Sequence, residues 1–171
     1  MNAEQARFLT DHYVNVLEAE FAATCKVLEA IPDDRRDYKP DDKSRSAWDV
    51  AKHLATSQIF FLDSVLMGQF VMDPEASKQA EAQFKTVGDV VAFYKEAFQE
   101  KIKDLRIVSA EVLAKNIDFF GIMKKPAAEF LSLANNHSIH HRGQLASYLR
   151  AMGSKVPAIY GGSADEPMSE G

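Results

Sequence analysis

Cysteine is almost missing from this chain. Cys25 is the single one among 171 residues, so an intrachain disulfide cannot form. A protein without disulfides suits a reducing compartment, and we expect a cytoplasmic location. The N-terminal residues show no basic segment followed by an apolar core, which argues against a secretory signal. No apolar run approaches the roughly 20 residues of a membrane span, so we expect no membrane partner.

Positive charge is also in deficit. Lysine and arginine number 20 against 25 acidic residues, a formal net charge of -5, whereas nucleic acids attract basic surfaces. We therefore expect no nucleic-acid partner. The sequence contains no phosphate-binding loop, dinucleotide glycine pattern or Ser-His-Asp signature. Cys25 has no activating neighbour beyond Lys26, so a cysteine nucleophile is not predicted either.

Helical periodicity dominates the chain, because apolar residues recur mostly at spacings of three and four. Ser46 and Thr86 are each followed three residues later by Asp, as at capped helix starts. Pro126 is a residue type favoured at the first helical position, and Gly153 suits a C-terminal cap. The predicted helices run from Ala3 to about Ala30, from near Ser46 to near Gly68, from Thr86 through Leu105, and from Pro126 to about Met152. This pattern predicts an all-α four-helix bundle, in one domain spanning residues 1–171.

The segments between these helices carry weaker signals. Residues 69–85 read as a loop, and residues 107–125 predict a short helix followed by an extended turn around Gly121. No segment shows a convincing alternating strand pattern. From about residue 154 we expect an irregular tail.

Three of the five histidines stand within five residues of the fourth helix. With Ala134 as the centre of its apolar stripe and about 100° per residue, His141 lies about 20° from the centre and His137 about 60°. His140 lies about 120° away, outside the stripe. His137 and His141 are four residues apart, so they share an inward face and can reach one ion together. The alternative is a pair of core histidines, each bonded to a neighbouring carbonyl or hydroxyl.

A metal site needs a further ligand, since catalytic zinc-type sites commonly use three protein ligands. His53 on the second helix is the best candidate. It lies about 100° from Leu54, the centre of that helix's stripe, beside small and polar residues that suit the wall of a cleft. The alternative is a boundary histidine without a function.

Glu20 is predicted inside the apolar stripe of the first helix, within about 20° of Tyr13. A carboxylate there must be paired, hydrogen-bonded or protonated. It is a candidate general base, metal ligand or partner of a ligand, but it could equally pair with a lysine or arginine of another helix, or with Thr24. His12 is expected at the surface or at an interface.

Gln144 lies about 60° from His141, and Tyr148 follows one turn later. Both side chains are candidates for orienting a substrate beside the inward histidines.

Three stretches then carry a family resemblance: SAWDVAKHLA, NNHSIHHRGQLASYLRAMG and KVPAIYGGSADEP. With the helix order they cover nearly the whole chain, which resembles the DinB/YfiT-like family. The resemblance implies a four-helix bundle with a long connection between its second and third helices, often as a homodimer. It also implies one divalent metal held by three histidines, which by position are His53, His137 and His141.

The activity implied by the resemblance is less uniform. Some members of the family are similar to thiol-dependent S-transferases or isomerases, which use a low-molecular-weight thiol, and others to metal-dependent hydrolases. We expect an S-transferase acting on a small molecule. A hydrolase, a non-catalytic metal-binding stress protein and a dimer with purely structural histidines are the alternatives. Three imidazoles suit zinc or nickel, and also iron, copper or cobalt.

Overall fold

Six α-helices and one β-hairpin form the part of the chain that the computed structural model describes, residues 1–168. Two short 3₁₀ turns, Asp33–Arg35 and Ala127–Glu129, join some of these elements. The helices are α1 (Ala3–Glu29), α2 (Ala47–Met67), α3 (Pro74–Ala82), α4 (Val87–Ile107), α5 (Ala110–Ala114) and α6 (Phe130–Ala151), and the strands are β1 (Asn116–Phe119) and β2 (Met123–Pro126).

The four long helices, α1, α2, α4 and α6, form the predicted four-helix bundle. Helix α2 packs mainly against α4 and α6, and α1 packs mainly against the same two helices. Helices α1 and α2 therefore lie diagonally across the bundle, although they are consecutive in sequence. The long connection after the second bundle helix, residues 68–86, is also confirmed. This packing places one face of α2 directly against α6.

Local signals fixed most of the helix ends. The Ser46 hydroxyl accepts a hydrogen bond from the backbone N–H of Asp49 at 3.0 Å, and the Thr86 hydroxyl accepts one from Asp89 at 3.1 Å. Gly153 takes a φ of +71° just after α6, as a C-terminal glycine does. The predicted start of the last helix at Pro126 is wrong. That residue ends β2, and a 3₁₀ turn precedes the first residue of α6, Phe130.

Two elements were not expected. The loop predicted for residues 69–85 contains α3, whose first turn is held by Asp73: its carboxylate accepts hydrogen bonds from the N–H groups of Glu75 and Ala76. The segment before α6 forms the short helix α5, as expected, but then an antiparallel hairpin in which Phe119 pairs with Met123. The extended turn was therefore recognised without its strand pairing.

The core lies between the four bundle helices and also takes in Leu113 of α5 and Ile117 of β1. The tail expected from about residue 154 folds back over α1 and α6, where Tyr160 reaches Arg142 and Glu20. The final residues of the predicted domain and tail, 169–171, lie outside the described part. Within residues 1–168, the structure has no helix with the length and apolarity to cross a membrane.

Candidate metal centre

The packing of α2 on α6 brings His53, His137 and His141 together. Their ring centroids lie 5.0 Å apart for His53 and His137, 4.7 Å for His53 and His141, and 4.5 Å for His137 and His141. One ligand atom from each residue lies within 4.8 Å of the corresponding atom of the other two. His140 is exposed, as its rotation around the helix predicted. The convergence of the three histidines agrees with the sequence analysis, and their role as ligands stays a prediction.

Two polar side chains orient the rings of α6. The Ser57 hydroxyl donates to the carbonyl oxygen of His53 and lies 3.3 Å from Nδ1 of His137, where it is placed to accept a hydrogen bond from a protonated Nδ1. Oε1 of Gln144 lies 3.0 Å from Nδ1 of His141 and accepts from it. With Nδ1 protonated in both rings, as these contacts favour, Nε2 keeps the lone pair that a metal would bind.

The electrostatics favour neutral rings at this site. Burial, and then the nearby His141, lowers the pKa of His53 to about 4. Burial, followed by the neighbouring histidines, lowers the pKa of His137 to about 4 as well. Burial also lowers the pKa of His141, although its hydrogen bond with Gln144 opposes that shift. The positive charge of Arg45 makes a smaller contribution in the same direction to all three.

The residues therefore fit a divalent ion. Neutral imidazoles are the protonation state that binds metals, and the three nitrogen atoms are close enough to share one ion. Three protein ligands also leave room in the coordination shell for a small molecule.

Gln144 and Tyr148, expected beside the substrate, form a chain that leads away from His141. Nε2 of Gln144 donates to the hydroxyl of Tyr148 at 2.9 Å, and the ring of Tyr148 packs edge-on against Tyr38 with centroids 5.5 Å apart. Tyr148 is buried. Gln144 therefore supports a histidine directly, while contact of either side chain with a substrate stays a prediction.

Glu20 is bound by the guanidinium of Arg142. Nη2 of Arg142 lies 2.5 Å from Oε2 of Glu20, and Nη1 donates to the Glu20 carbonyl oxygen and to the Thr24 hydroxyl. The hydroxyl of Tyr160 donates to the same carboxylate at 2.8 Å. The structure thus contains the pairing that was the alternative for Glu20, and the role of Glu20 as a base stays a prediction. Arg142 follows His141 in sequence, so it points about 100° away around the helix.

An apolar chamber of about 900 Å³ opens beside the histidines, with His53 and His137 in its wall. Helix α2, the long connection that includes α3, the β-hairpin and α6 all contribute to its lining. The chamber is large enough to hold a small organic molecule. His12, by contrast, is exposed and packs edge-on against Tyr13, in agreement with a surface position.

Sequence reasoning gave no role to Arg45, and it placed Ser57 beside His53 and Arg142 near the rim of the site without predicting their contacts. Ser57 follows His53 by one helical turn, a spacing that signals contact with the same neighbouring helix. The position of Arg142 carried no such signal, because its partners Glu20 and Thr24 come from a helix distant in sequence.

The fold agrees with what comparisons with known proteins find. The model of the DinB family matches residues 1–170, and the chain belongs to this family. The protein YjoA of Bacillus subtilis (strain 168) is 33% identical over 140 residues, which are 80% of this chain and 86% of YjoA. The crystal structure of YjoA aligns with a TM-score of 0.68 at 29% identity, and covers 86% of this chain and 96% of that one.

Two more distant structures share the fold alone. YfiT from Bacillus subtilis, described as a probable metal-dependent hydrolase with an unusual four-helix bundle topology, has a TM-score of 0.66 at 19% identity over 85% of this chain and 89% of YfiT. A mycothiol-dependent maleylpyruvate isomerase has a TM-score of 0.54 at 10% identity, over 92% of this chain and 65% of the isomerase.

Proposed function

We propose that this protein is a divalent-metal-dependent enzyme that transfers a low-molecular-weight thiol to a small electrophilic molecule. The observation that carries the proposal is the convergence of His53, His137 and His141, with lowered pKa values, at the wall of an open chamber. A neutral three-imidazole site at a cavity that admits a small molecule is the arrangement of a catalytic metal centre rather than a closed structural one.

The chain's own residues prepare this site. Ser57 and Gln144 hold the rings of His137 and His141 through Nδ1, which leaves Nε2 available for an ion. Burial keeps the imidazoles unprotonated near neutral pH. A divalent ion at this centre supplies positive charge that lowers the pKa of a bound thiol or water.

Thiol transfer then balances as a substitution. The thiol gives up its proton to solvent or to a nearby base, and its sulfur uses the freed electron pair to form a bond to the electrophilic carbon. The leaving group departs with the electrons of the broken bond and takes up a proton. The fold shared with the mycothiol-dependent isomerase supports a thiol as co-substrate.

Hydrolysis is the second candidate, and the fold shared with YfiT favours it. The same three histidines would serve, with water in place of the thiol. Zinc or nickel is the expected metal for a site of three nitrogen ligands, and iron, copper and cobalt are also compatible with it. A metal-binding stress protein without turnover is the remaining alternative.

The metal part of the proposal is tested by elemental analysis of protein purified without a histidine tag. We expect about one divalent ion per chain, as a three-ligand site predicts. Alanine at His53, His137 or His141 should each remove it. The matched control is His140→Ala, a fourth histidine that is exposed on the same helix, and it should retain the metal. Retention in the first three variants, or loss in the control, contradicts the assignment.

The reaction is tested with the metal-loaded protein. Glutathione, cysteine and mycothiol are each offered with 1-chloro-2,4-dinitrobenzene, and p-nitrophenyl acetate is offered without thiol. Consumption of thiol in step with chloride release supports transfer if the His141→Ala variant shows no such reaction. Ester hydrolysis without thiol supports the second candidate. Metal binding with turnover of neither kind favours the non-catalytic alternative.

A further inference from the structure

The chamber beside the histidines is lined mainly by hydrocarbon. Five phenylalanines contribute to its walls: Phe60, Phe61, Phe93, Phe119 and Phe120. Aromatic walls of this kind bind apolar or flat molecules through burial and ring stacking. The chamber volume of about 900 Å³ lies near the upper end of the range of about 300–1,000 Å³ for small-molecule sites.

The charges around the chamber are already neutralised by the protein. Its acidic lining residues are Asp63 and Glu81. Asp63 pairs with Lys101 at 3.1 Å, and Glu81 lies 3.7 Å from Lys52. Within residues 1–168, no lysine or arginine contributes to the lining. Away from the three histidines, an anionic group placed inside would lose water without gaining a cation from the lining side chains, so this part of the chamber favours a neutral ligand.

Large apolar side chains remain exposed at this chamber. Met72 is 59% exposed, Phe120 45% and Ile122 72%, and all three belong to its lining. Phe120 also adopts a φ of +53°, a conformation that costs an ordinary residue about 1 kcal/mol or more. Exposed apolar clusters and strained residues both concentrate at binding sites. The hairpin tip thus holds hydrophobic groups where folding itself gains little from them.

Helix α3 covers the chamber from outside. Residues 74–80 are exposed throughout, so this helix is held by few buried contacts. Ala76 and Ala80 on its inner side belong to the lining, whereas Ala82 of the same helix does not. Small side chains on the inner face keep the space beneath the helix open.

We propose that this chamber binds the neutral, apolar portion of the substrate and presents its reactive atom to the three histidines. The continuity of the chamber with His53 and His137 gives the bound molecule a direct path to the centre. The assignment as a substrate site rests on the proposed function, whereas the selection of a neutral apolar ligand rests on the chamber itself. A small molecule with an aromatic or branched hydrocarbon group is the ligand class that fits.

The test uses two fluorescent probes with the same ring skeleton. N-Phenyl-1-naphthylamine is neutral, and 8-anilino-1-naphthalenesulfonate adds one sulfonate. We expect the full chain, freed of metal with a chelator, to bind the neutral probe at least tenfold more tightly, because the side chains of the chamber offer the sulfonate no cation. Equal or tighter binding of the sulfonate overturns the proposal.

Substitutions on α3 locate the binding site. Ala80→Trp places a large ring in the chamber, and we expect it to weaken binding of the neutral probe at least tenfold. Ala82→Trp is the matched control on the same helix, and it should change the affinity less than twofold. Ala76→Trp is the second blocking variant if Ala80→Trp unfolds α3, as judged by circular dichroism. Equal effects of blocking and control variants would contradict the assignment.

Further measurements distinguish a failure of the chamber assignment from a failure of the metal proposal. His141→Ala should lose metal but keep the affinity for the neutral probe, since His141 does not belong to the chamber lining. If the protein binds no metal but still binds the neutral probe, the metal proposal fails and the chamber assignment stands. If it binds metal but not the neutral probe, the chamber assignment alone fails. In an active preparation, Ala80→Trp should raise the KM for an apolar electrophile tenfold at unchanged KM for the thiol.

A probe affinity that falls as the protein concentration and the measured mass rise would show a second copy of the chain in the chamber, which overturns the proposal.

Discussion

Gln144 shows at the scale of one residue how the candidate centre is built. Its amide has two ends with different functions: Oε1 accepts from Nδ1 of His141, and Nε2 donates to the Tyr148 hydroxyl. In this orientation of the amide, its oxygen faces the histidine and its NH2 group faces the tyrosine. Gln144 is therefore a candidate positioning residue for His141: an Nδ1–H group bonded to its oxygen leaves Nε2 free for an ion.

We predict that Gln144→Leu weakens metal binding by about 10–100-fold, the usual effect of losing a partner of a ligand histidine. Leucine cannot accept a hydrogen bond from the Nδ1–H group, so the ring loses the contact that favours its tautomer and orientation. The dissociation constant is measured by competition with a chelator of known affinity. Gln144→Glu should restore tight binding because a carboxylate also accepts that proton, and Asn136→Ala, an exposed change on the same helix, should have no effect. Failure of glutamate to rescue would point to a structural role instead.

At the scale of elements, α1 and α6 are joined inside the bundle by the ion pair between Glu20 and Arg142. The side chain of Arg142 is only 1% exposed and that of Glu20 20%. The guanidinium also reaches the tail through Tyr160. Since an unpaired buried guanidinium is costly, this ion pair and the contact with Tyr160 stabilise the packing of the two helices and the C-terminal segment. They lie beside the helix face that carries His141.

Glu20→Ala should lower the free energy of unfolding by about 3 kcal/mol, because it leaves Arg142 buried without its counter-charge. The measurement is urea unfolding followed by circular dichroism. Glu18→Ala is the matched control on the same helix: Glu18 pairs with Arg106 at 2.6 Å, but both side chains are more than 40% exposed, and such pairs contribute less than about 1 kcal/mol. If Glu20 is instead a general base, folded Glu20→Gln should lose turnover, whereas a Glu20 that only pairs with Arg142 should leave the turnover of the folded variant intact.

At the scale of the whole molecule, the three half-buried histidines make the folded state sensitive to acid. Their pKa values lie below the ordinary value of 6.5, at about 4 for His53 and for His137. Between these values the native rings remain neutral while the same residues in the unfolded chain take up protons. Proton binding then favours the unfolded state as the pH falls.

We predict that the metal-free protein loses stability as the pH is lowered from about 6.5 to about 4. Each histidine contributes at most about 1.4 kcal/mol per pH unit, and less where its ring touches solvent. The check is the free energy of unfolding, measured at several pH values for the wild type and for His53→Gln. The variant should show the shallower slope in this window and a constant difference from the wild type above about pH 7. Equal slopes would mean that His53 is not held neutral by the fold.

The sequence alone determined the four long helices and the facing of the α6 histidines. Helical rotation is local, so the distance of His140 from the stripe centre could be read from residue numbers. The helix α3 was missed because it has no buried face and hence no apolar stripe, although Asp73 and Pro74 carry the signals of a helix start. The strands were missed because four residues give too short an alternation to recognise.

Tertiary structure alone decided how these elements meet. The packing of α2 against α6 joins His53 to His137 and His141, and the packing of α1 against α6 gives Glu20 its partner, Arg142. Contacts between residues so far apart depend on the order of helices around the bundle, which no local pattern encodes. The same holds for the chamber, since its walls come from α2, α3, α4, the hairpin and α6. The candidate residues of the centre could thus be predicted from the sequence, whereas the distances between them and their hydrogen-bond partners followed only from the packing of distant helices.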